Sequence, residues 1–336
     1  MKLVSTGIIA LAFACGSAAA QEAYKTPRAS DGKPDLQGVW TNASLTSLER
    51  PTGQPLVIPA DRAAQMEKQR AQMMAAQNGR TNPNEGAPQA GRDVGGYNAF
   101  WIDPGSRYGV VKGETRTSWI VEPKDGKIPY TKAGKDAYDR KITKVRNTFD
   151  GPEIRPQGER CTVGFGSTGG PPMVNVLYNN HYQIVQTPGY VTILVEMNHD
   201  ARIIPIGAKH APASFRKWLG DSIGWWEGDT LVVETVNFHK DMDIRPNMTQ
   251  SFYVGENAKV TERFTRVAAD SIFYEFTVED PVAFTQPWKA EMSLWNDKGR
   301  MFEYACHEGN YALPGILAGA RADDKKGVKT IAGDAE

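Results

Sequence analysis

The sequence predicts a mainly β protein: one antiparallel barrel, decorated by two helices in the N-terminal half of the chain. From about residue 180 onward, short runs rich in Val, Ile, Tyr, Phe and Thr are separated by turn signals, which is typical of a meander of hairpins. Several runs alternate strictly, and in KVTERFTRV (259–267) both faces carry polar groups. This pattern favours a barrel with a partly polar interior over a flat two-layer sandwich.

Short turns divide the predicted strands into hairpins. Connections of this length join neighbouring antiparallel strands. The last hairpin pairs WKAEMSLW with MFEYACHE, so we predict a final strand over 301–308. The four turns are 187–189, 227–229, 268–270 and 296–299.

The first twenty residues have the pattern of a secretory signal peptide. Lys2 precedes an apolar stretch and then small residues up to Ala20, which is a cleavage site of the A-x-A type. The apolar stretch is shorter than the roughly 20 residues of a membrane span. We therefore predict an exported protein, periplasmic or secreted, without an integral membrane segment. A lipid anchor on Cys15 is the alternative, although the residues before it fit a lipoprotein signal poorly.

The remaining chain predicts one large domain, with two separate domains as the alternative. LQGVW (36–40) begins the first strand, and the Ala- and Gln-rich segment after Pro59 favours a helix. A second helix is predicted from about Lys132 to Asn147. The predicted segments are a lead-in with the first strand (21–58), a helical and loop-rich decoration (59–150) with a flexible loop (79–96), the barrel core (151–321) and a disordered tail (322–336).

Composition excludes some classes of partner. The chain has 39 basic and 39 acidic residues, so no net field favours nucleic acid or an anionic membrane. Its eight Trp, twelve Tyr and twelve Phe suffice for a core and for an aromatic pocket.

Two cysteines, Cys161 and Cys306, remain after signal cleavage. An even pair in an oxidising compartment predicts one disulfide, with two buried free thiols as the alternative. Neither cysteine lies in a C-x-x-C motif, so we expect no zinc site there.

Several stretches of the sequence resemble known families. GVW (38–40) resembles the G-x-W of lipocalins, and 259–280 looks like the late hairpins of calycin-like barrels. DGKPDLQGVW, EMNHDARIIP, GWWEGDTLVVETVNF and YACHEGNYAL together resemble a widespread family of secreted bacterial proteins of uncharacterised activity. The chain is also similar, without a shared motif, to single-component enzymes that cleave lignin-type β-aryl ethers outside the cytoplasm. That similarity implies an ether-cleaving activity.

The first candidate site is EMNHDAR (196–202), where a strand ends. Glu196, His199 and Asp200 are candidate catalytic residues, and Arg202 is a candidate substrate-binding residue. A His beside carboxylates can have its pKa moved toward the operating pH, as a general base requires. A tight turn with surface salt bridges is the structural alternative.

The second candidate site is YACHEGNY (304–311). Tyr304 and His307 are assigned catalytic roles, because a phenol and an imidazole can both pass protons. Glu308 and Tyr311 are assigned to substrate binding. The motif is not H-E-x-x-H, since Tyr311 stands at the second His position, so the zinc-protease interpretation fails.

The third candidate site surrounds Trp225 and Trp226, whose rings could form the wall of an aromatic or sugar site; core packing explains them equally well. His181 is added as a substrate-binding candidate. The five histidines show no i, i+2 or i, i+4 pair, so no metal site or cofactor is predicted; a three-His metal site assembled from distant strands is the alternative. GFGSTG (164–169) is followed by two prolines that block a dinucleotide-binding helix.

These patterns support a cofactor-independent acid–base enzyme, a lyase, isomerase or ether-cleaving enzyme, acting on a small hydrophobic or aromatic molecule in a barrel cavity. The alternative is a periplasmic carrier of a lipophilic ligand, for which no acid–base pair is needed. A third interpretation is a structural protein whose barrel is filled by side chains. We expect the 196–200 and 304–307 clusters to share one pocket, lined by His199 and His307.

Overall fold

The structure is a computed structural model that describes residues 24–77, 104–164, 169–244 and 252–327. The predicted signal peptide (1–20) and the whole of the predicted flexible loop (79–96) lie outside the described residues.

The described residues form fifteen strands and three α-helices. The helices are α1 (Ala60–Gln77), α2 (Lys132–Asn147) and α3 (Ala312–Lys326). The strands are β1 (Gly38–Thr41), β2 (Val57–Ile58), β3 (Val110–Val111), β4 (Glu114–Arg116), β5 (Ile120–Glu122), β6 (His181–Thr187), β7 (Tyr190–Val195), β8 (Ala201–Pro205), β9 (Asp221–Glu227), β10 (Thr230–Val236), β11 (Asp243–Ile244), β12 (Phe252–Tyr253), β13 (Lys259–Ala268), β14 (Ser271–Glu279) and β15 (Trp288–Asn296).

Ten of the strands form one antiparallel sheet that curls into a nearly closed barrel. Its order is β8-β7-β6-β1-β15-β14-β13-β10-β9, and β5 adds to β15. The two end strands meet at a parallel bridge between Ile206 and Gly224, where the Gly207 N–H donates to the Gly224 carbonyl at 2.8 Å. The predicted mainly β, lipocalin-like barrel is therefore confirmed.

Alternation along the strands separates a packed interior from the outer wall. On β6, Tyr182 and Ile184 are buried, whereas His181, Gln183 and Val185 face outward. The same pattern on the other strands buries large rings together, so side chains fill the core. Fully buried aromatic residues include Trp40, Trp119, Trp288, Tyr182, Tyr274, Phe238, Phe252, Phe264 and Phe276.

The packed interior also contains a buried charge pair. Arg202 on β8 makes a two-pronged ion pair with Glu262 on β13, with Arg202 Nη1 at 3.0 Å from Glu262 Oε1. The Tyr274 hydroxyl donates to Glu262 at 2.7 Å and accepts from the Met173 N–H at 2.9 Å. Because burial is expensive for an unpaired charge, these bonds are what make the polar interior tolerable.

Both predicted helices are present close to their predicted bounds. Helix α2 begins where Thr131 Oγ1 accepts a hydrogen bond from the Gly134 N–H at 2.9 Å, an N-cap that satisfies one free donor of the first turn.

The C-terminal part of the chain differs from the sequence prediction. Residues 301–308 form no strand, because their backbone bonds go to the β7–β8 connection and to local turns instead of a sheet ladder. Helix α3 was not predicted, and it extends to Lys326, inside the predicted tail; residues 328–336 lie outside the described part of the chain. Strands β1 and β5 belong to the barrel, so the boundary predicted at residue 151 does not separate barrel from decoration.

Cys161 and Cys306 form the predicted disulfide, with their Cα atoms 5.7 Å apart. Such a bond suits an oxidising compartment outside the cytoplasm. Within the described ranges, no helix has the length and apolarity to cross a membrane.

Candidate functional site

The candidate site is the connection between β7 and β8 together with the C-terminal segment that crosses it. The connection, residues 196–200, begins directly after the last apolar residue of β7. Backbone N–H groups of Phe302 and Tyr304 donate to side chains of this connection, to Glu196 Oε1 at 2.8 Å and to His199 Nε2 at 3.4 Å. The crossing segment therefore fixes both ends of the turn.

At the first end, His181 lies between two carboxylates. Its Nδ1 is 2.7 Å from Glu196 Oε2, and its Nε2 is 2.7 Å from Asp297 Oδ2. The hydrogen bond with Glu196 is the main cause that raises the pKa of His181, so the protonated ring is favoured. We call His181, Glu196 and Asp297 the clamp.

The two carboxylates of the clamp are held in their charged forms. Burial alone would raise the pKa of Glu196, but hydrogen bonds from His181 and from the Phe302 N–H outweigh it, and the net pKa is lowered. The pKa of Asp297 is lowered mainly by the Gly299 N–H and further by His181. The clamp thus favours a protonated ring between two ionised carboxylates, with each ring nitrogen paired.

At the other end, the backbone adopts an unusual conformation. Asn198 and His199 are consecutive non-glycine residues with positive φ angles of 61° and 54°. A positive φ angle is unfavourable in free energy for any residue that has a Cβ atom. Such backbone strain concentrates at functional sites. The turn leaves the His199 side chain exposed, and with Nε2 accepting from Tyr304, the neutral ring has its proton on Nδ1.

Asp200 follows directly and lies in a less polar environment. Its Oδ2 accepts one hydrogen bond, from the Gly164 N–H at 3.3 Å. Burial raises the pKa of Asp200 to about 6, although Gly164 and His199 both act to lower it. A carboxyl with such a pKa exchanges a proton near neutral pH. We call Asn198, His199 and Asp200 the strained turn.

Two phenols stand beside the strained turn. The rings of Tyr178 and Tyr304 stack with centroids 6.2 Å apart and planes at 27°. Burial, and then the charge and hydrogen bond of Tyr304, raise the pKa of Tyr178. The Tyr178 ring therefore lies against the side chain of Tyr304, the residue whose backbone N–H contacts His199.

The disulfide stabilises this arrangement. Cys306 lies two residues after Tyr304, and its partner Cys161 precedes Gly164, the donor to Asp200, by three residues. The Asn310 side chain adds a hydrogen bond to the Glu159 carbonyl at 3.1 Å. The covalent bond therefore holds together the two segments that contact the strained turn.

The structure brings five of the predicted site residues together: Glu196, His199, Asp200, Tyr304 and His181. His181, predicted to bind substrate, is instead saturated by the two carboxylates of the clamp.

The other predicted residues lie elsewhere. Arg202 is buried in the core and paired with Glu262, because its position on β8 points inward. His307 and Glu308 are exposed, and Tyr311 is 83% exposed. Among the described residues the His307 side chain makes no hydrogen bond or ion pair, so the expected pocket shared by His199 and His307 is not formed by contacts between them.

The tryptophans lie toward the opposite end of the barrel. Strands β8 and β9 run in parallel, and Ile206 pairs with Gly224, so Trp225 and Trp226 lie beyond the end of β8, away from the strained turn. The Trp225 indole donates to Glu227 at 2.8 Å, and Trp226 packs against the core.

Sequence reasoning missed Asp297 and Tyr178. Asp297 stood in a segment that was interpreted only as a hairpin turn, and Tyr178 preceded the first recognised hairpin. The sequence did contain a signal for Asp297. A carboxylate at the end of one strand is a candidate partner for a histidine at the start of a nearby strand.

A second histidine outside this site also lies between two carboxylates. His210 Nδ1 is 3.1 Å from Asp221 and its Nε2 is 3.3 Å from Glu234. Lys217 and Lys259 also contact these acids, which makes the group a surface ion-pair network. Over the described ranges, no set of three or more His, Cys, Asp or Glu side chains is arranged to hold a metal ion.

Comparison with protein-family models and with curated proteins finds no match to this chain.

Proposed function

We propose that this protein is an acid–base enzyme that acts on a small aromatic molecule at the rim of the barrel, beside the strained turn. The observation that supports the proposal is the backbone of Asn198 and His199, two adjacent positive φ angles that present His199 and Asp200 between β7 and β8. Such strain persists only where the surrounding contacts enforce it. Here those contacts come from the Tyr304 and Phe302 N–H groups.

Asp200 is the proposed proton carrier. Its ionised form can remove a proton, and its raised pKa lets it return that proton to a leaving oxygen. His199 is the second polar contact, offering its Nδ1–H to an oxygen of the substrate. The stacked rings of Tyr178 and Tyr304 supply a face for an aromatic substrate.

The proposed reaction class includes lyase, isomerase and ether-cleaving steps. In the ether-cleaving step, Asp200 accepts the proton of a substrate hydroxyl, and that oxygen forms a bond to the neighbouring carbon. The bond from that carbon to the aryl ether oxygen breaks, and the aryloxide takes the proton back from Asp200. Atoms and electrons balance within substrate and side chain, so the proposed step calls on no cofactor.

A carrier of lipophilic ligands is the alternative, and the barrel interior gives it less support. A carrier needs an apolar cavity, whereas the inward-facing side chains described here pack on one another. The proposed substrate site is accordingly at the rim. We further propose that the protein works outside the cytoplasm, in agreement with the disulfide.

The test is turnover by purified Asp200→Asn protein compared with the wild type. Substrates are sought by incubating wild-type protein with a panel of lignin-type aryl ether dimers and terpenoids, with new products identified by mass spectrometry. Asp200→Asn removes the proton carrier at nearly constant size, so turnover should fall about 10²- to 10⁴-fold.

The matched control is Asp270→Asn, the same substitution on an exposed hairpin tip. It should leave turnover unchanged. Near-normal turnover by Asp200→Asn, or saturable binding of panel compounds without any product, would reject the enzyme in favour of the carrier.

A further inference from the structure

A cavity of about 150 Å³ lies between helix α1, the segment after β1 and the segment before β6. Its apolar wall comes from Leu45, Leu48, Val176 and Leu177, in two segments that follow β1 and precede β6. An apolar cavity of roughly 150 Å³ accommodates a benzene ring. The cavity is therefore large enough for one ring-sized molecule.

Arg70 on helix α1 also lines this cavity and provides a positive charge. The side chain is half-buried, and across the described ranges it forms no ion pair or hydrogen bond with the protein. Glu67, one turn earlier, is engaged elsewhere, because it accepts the Tyr108 N–H at 2.8 Å. That bond also ties α1 to the chain beside the cavity.

Ser47 supplies a second polar group among the lining residues. Its backbone N–H and carbonyl are used by Thr117 and Trp119, but its hydroxyl has no partner within the described part of the chain. Asn175, by contrast, is already saturated by the Trp119 indole and the Ser44 carbonyl. The Ser44 and Thr46 hydroxyls in the lining already donate to the Arg107 and Arg116 carbonyls. The cavity thus combines an apolar wall with one cation and, within the described part of the chain, one hydroxyl that remains available to donate.

We propose that this cavity binds a small aromatic carboxylate of about the size of benzoate. The ring occupies the space beside the leucines, and the carboxylate accepts hydrogen bonds from the Arg70 guanidinium and the Ser47 hydroxyl. Guanidinium groups pair with carboxylates through two parallel N–H···O bonds, which makes arginine well suited to this ligand. The residues that line the cavity include no member of the clamp or of the strained turn, and the proposal does not depend on the proposed reaction.

The test is calorimetric titration of the full mature protein with benzoate, with neutral benzamide and with sulfate. We expect one benzoate per chain, and binding of benzamide and sulfate at least about 10-fold weaker, since each lacks one half of the recognition. Hydrogen bonds to charged groups correspond to roughly 10- to 100-fold in affinity, so Arg70→Gln should weaken benzoate binding by that factor.

Arg62→Gln is the matched control, the same substitution on the same helix at a residue that is bonded to Gln54 outside the cavity. It should bind benzoate like the wild type, and thermal unfolding should show both variants folded. Ser47→Ala should weaken binding several-fold. Unsaturable benzoate binding, equal binding of benzamide or sulfate, or wild-type affinity in Arg70→Gln would each overturn the proposal.

Discussion

Glu196 of the clamp and the three residues of the strained turn lie within five residues of each other on the β7–β8 connection, yet the clamp and the turn use their side chains in opposite ways. In the clamp, both nitrogens of His181 are paired with carboxylates at 2.7 Å, and the Glu196 side chain is 1% exposed. In the strained turn, Asp200 accepts a single long hydrogen bond at 3.3 Å, and His199 keeps one ring nitrogen for another partner.

This difference shows why a cluster of ionisable residues is not by itself an active site. Groups that satisfy one another gain stability and lose reactivity, because a proton or a substrate must first displace an existing bond. Groups that lack hydrogen-bond partners lower the stability of the fold. A proton carrier nevertheless has to remain without such partners in order to react. The clamp therefore positions the connection, and the strained turn is the part that the proposed reaction uses.

Removal of the disulfide should have the largest effect, because the bond holds the segments that contact both regions. The double substitution Cys161→Ala and Cys306→Ala opens a loop of 145 residues. In the chain-entropy model this loss corresponds to roughly 4–5 kcal/mol of unfolding free energy. Urea unfolding of the two proteins at pH 7 measures it.

Reduction of the wild type without substitution is the control for altered packing, and it should give the same loss. A double variant within about 1 kcal/mol of the wild type would mean that hydrogen bonds alone hold the C-terminal segment.

The next effect concerns the buried member of the clamp. Glu196→Gln keeps the size of the side chain but removes the charge that faces His181 and the Phe302 N–H. Hydrogen bonds to charged, buried groups contribute about 2–3 kcal/mol, and we expect that loss of stability. Asp297→Asn, which acts on the other nitrogen of the same ring and is 36% exposed, should cost about 0.5–1 kcal/mol.

Equal losses in these two variants would contradict the idea that burial sets the strength of the clamp. Denaturant midpoints at constant slope are the measurement.

Much of the architecture could be predicted because local patterns set it. The strand pairs across 187–189, 227–229 and 268–270 form as expected, since period-two alternation and turn residues act between neighbours in the chain. Residues 301–308 failed this logic. Their partners, Glu196 and His199, are about a hundred residues away, and the tertiary contacts override a local β pattern.

The candidate site was predictable only in part. The density of ionisable residues at 196–200 marked the connection, but the pattern did not distinguish reactive from saturated groups. Arg202 shows why: its inward orientation depends on the register of β8, and its partner Glu262 lies on a strand that is distant in the sequence. Nothing in the local sequence connects the two.

The strained turn should respond with the opposite sign to the clamp. Because the folded pKa of Asp200 is raised to about 6 from 3.8, folding favours its protonated form, and ionisation destabilises the fold as the pH rises from about 4 through 6. Asp200 is partly exposed, so we discount the full shift and expect Asp200→Asn to stabilise the protein by about 1–2 kcal/mol at pH 7.

That gain should vanish near pH 3.5, where the wild-type carboxyl is protonated in both states. Thermal unfolding of the two proteins from pH 3.5 to 8 tests the sign. If Asp200→Asn is less stable than the wild type at pH 7, the ionised Asp200 side chain stabilises the turn and does not destabilise it.

The smallest effect is the pH dependence of the clamp. The pKa of His181 is raised in the folded state, so its stabilising contribution is complete below the unfolded pKa of about 6.5 and is lost as the pH rises through the folded pKa. The pKa values of Glu196 and Asp297 are lowered, so their contribution is present above their unfolded pKa values and is lost as the pH falls. The clamp should therefore stabilise most between about pH 4.5 and 6.5.

His181→Gln should remove about 0.5–1 kcal/mol in that window and less at pH 9. His307→Gln, an exposed histidine without side-chain partners in the described chain, should leave the wild-type pH profile intact. If the wild type and His181→Gln differ by the same amount at pH 5.5 and at pH 9, the ring contributes by packing and its charge is irrelevant to the clamp.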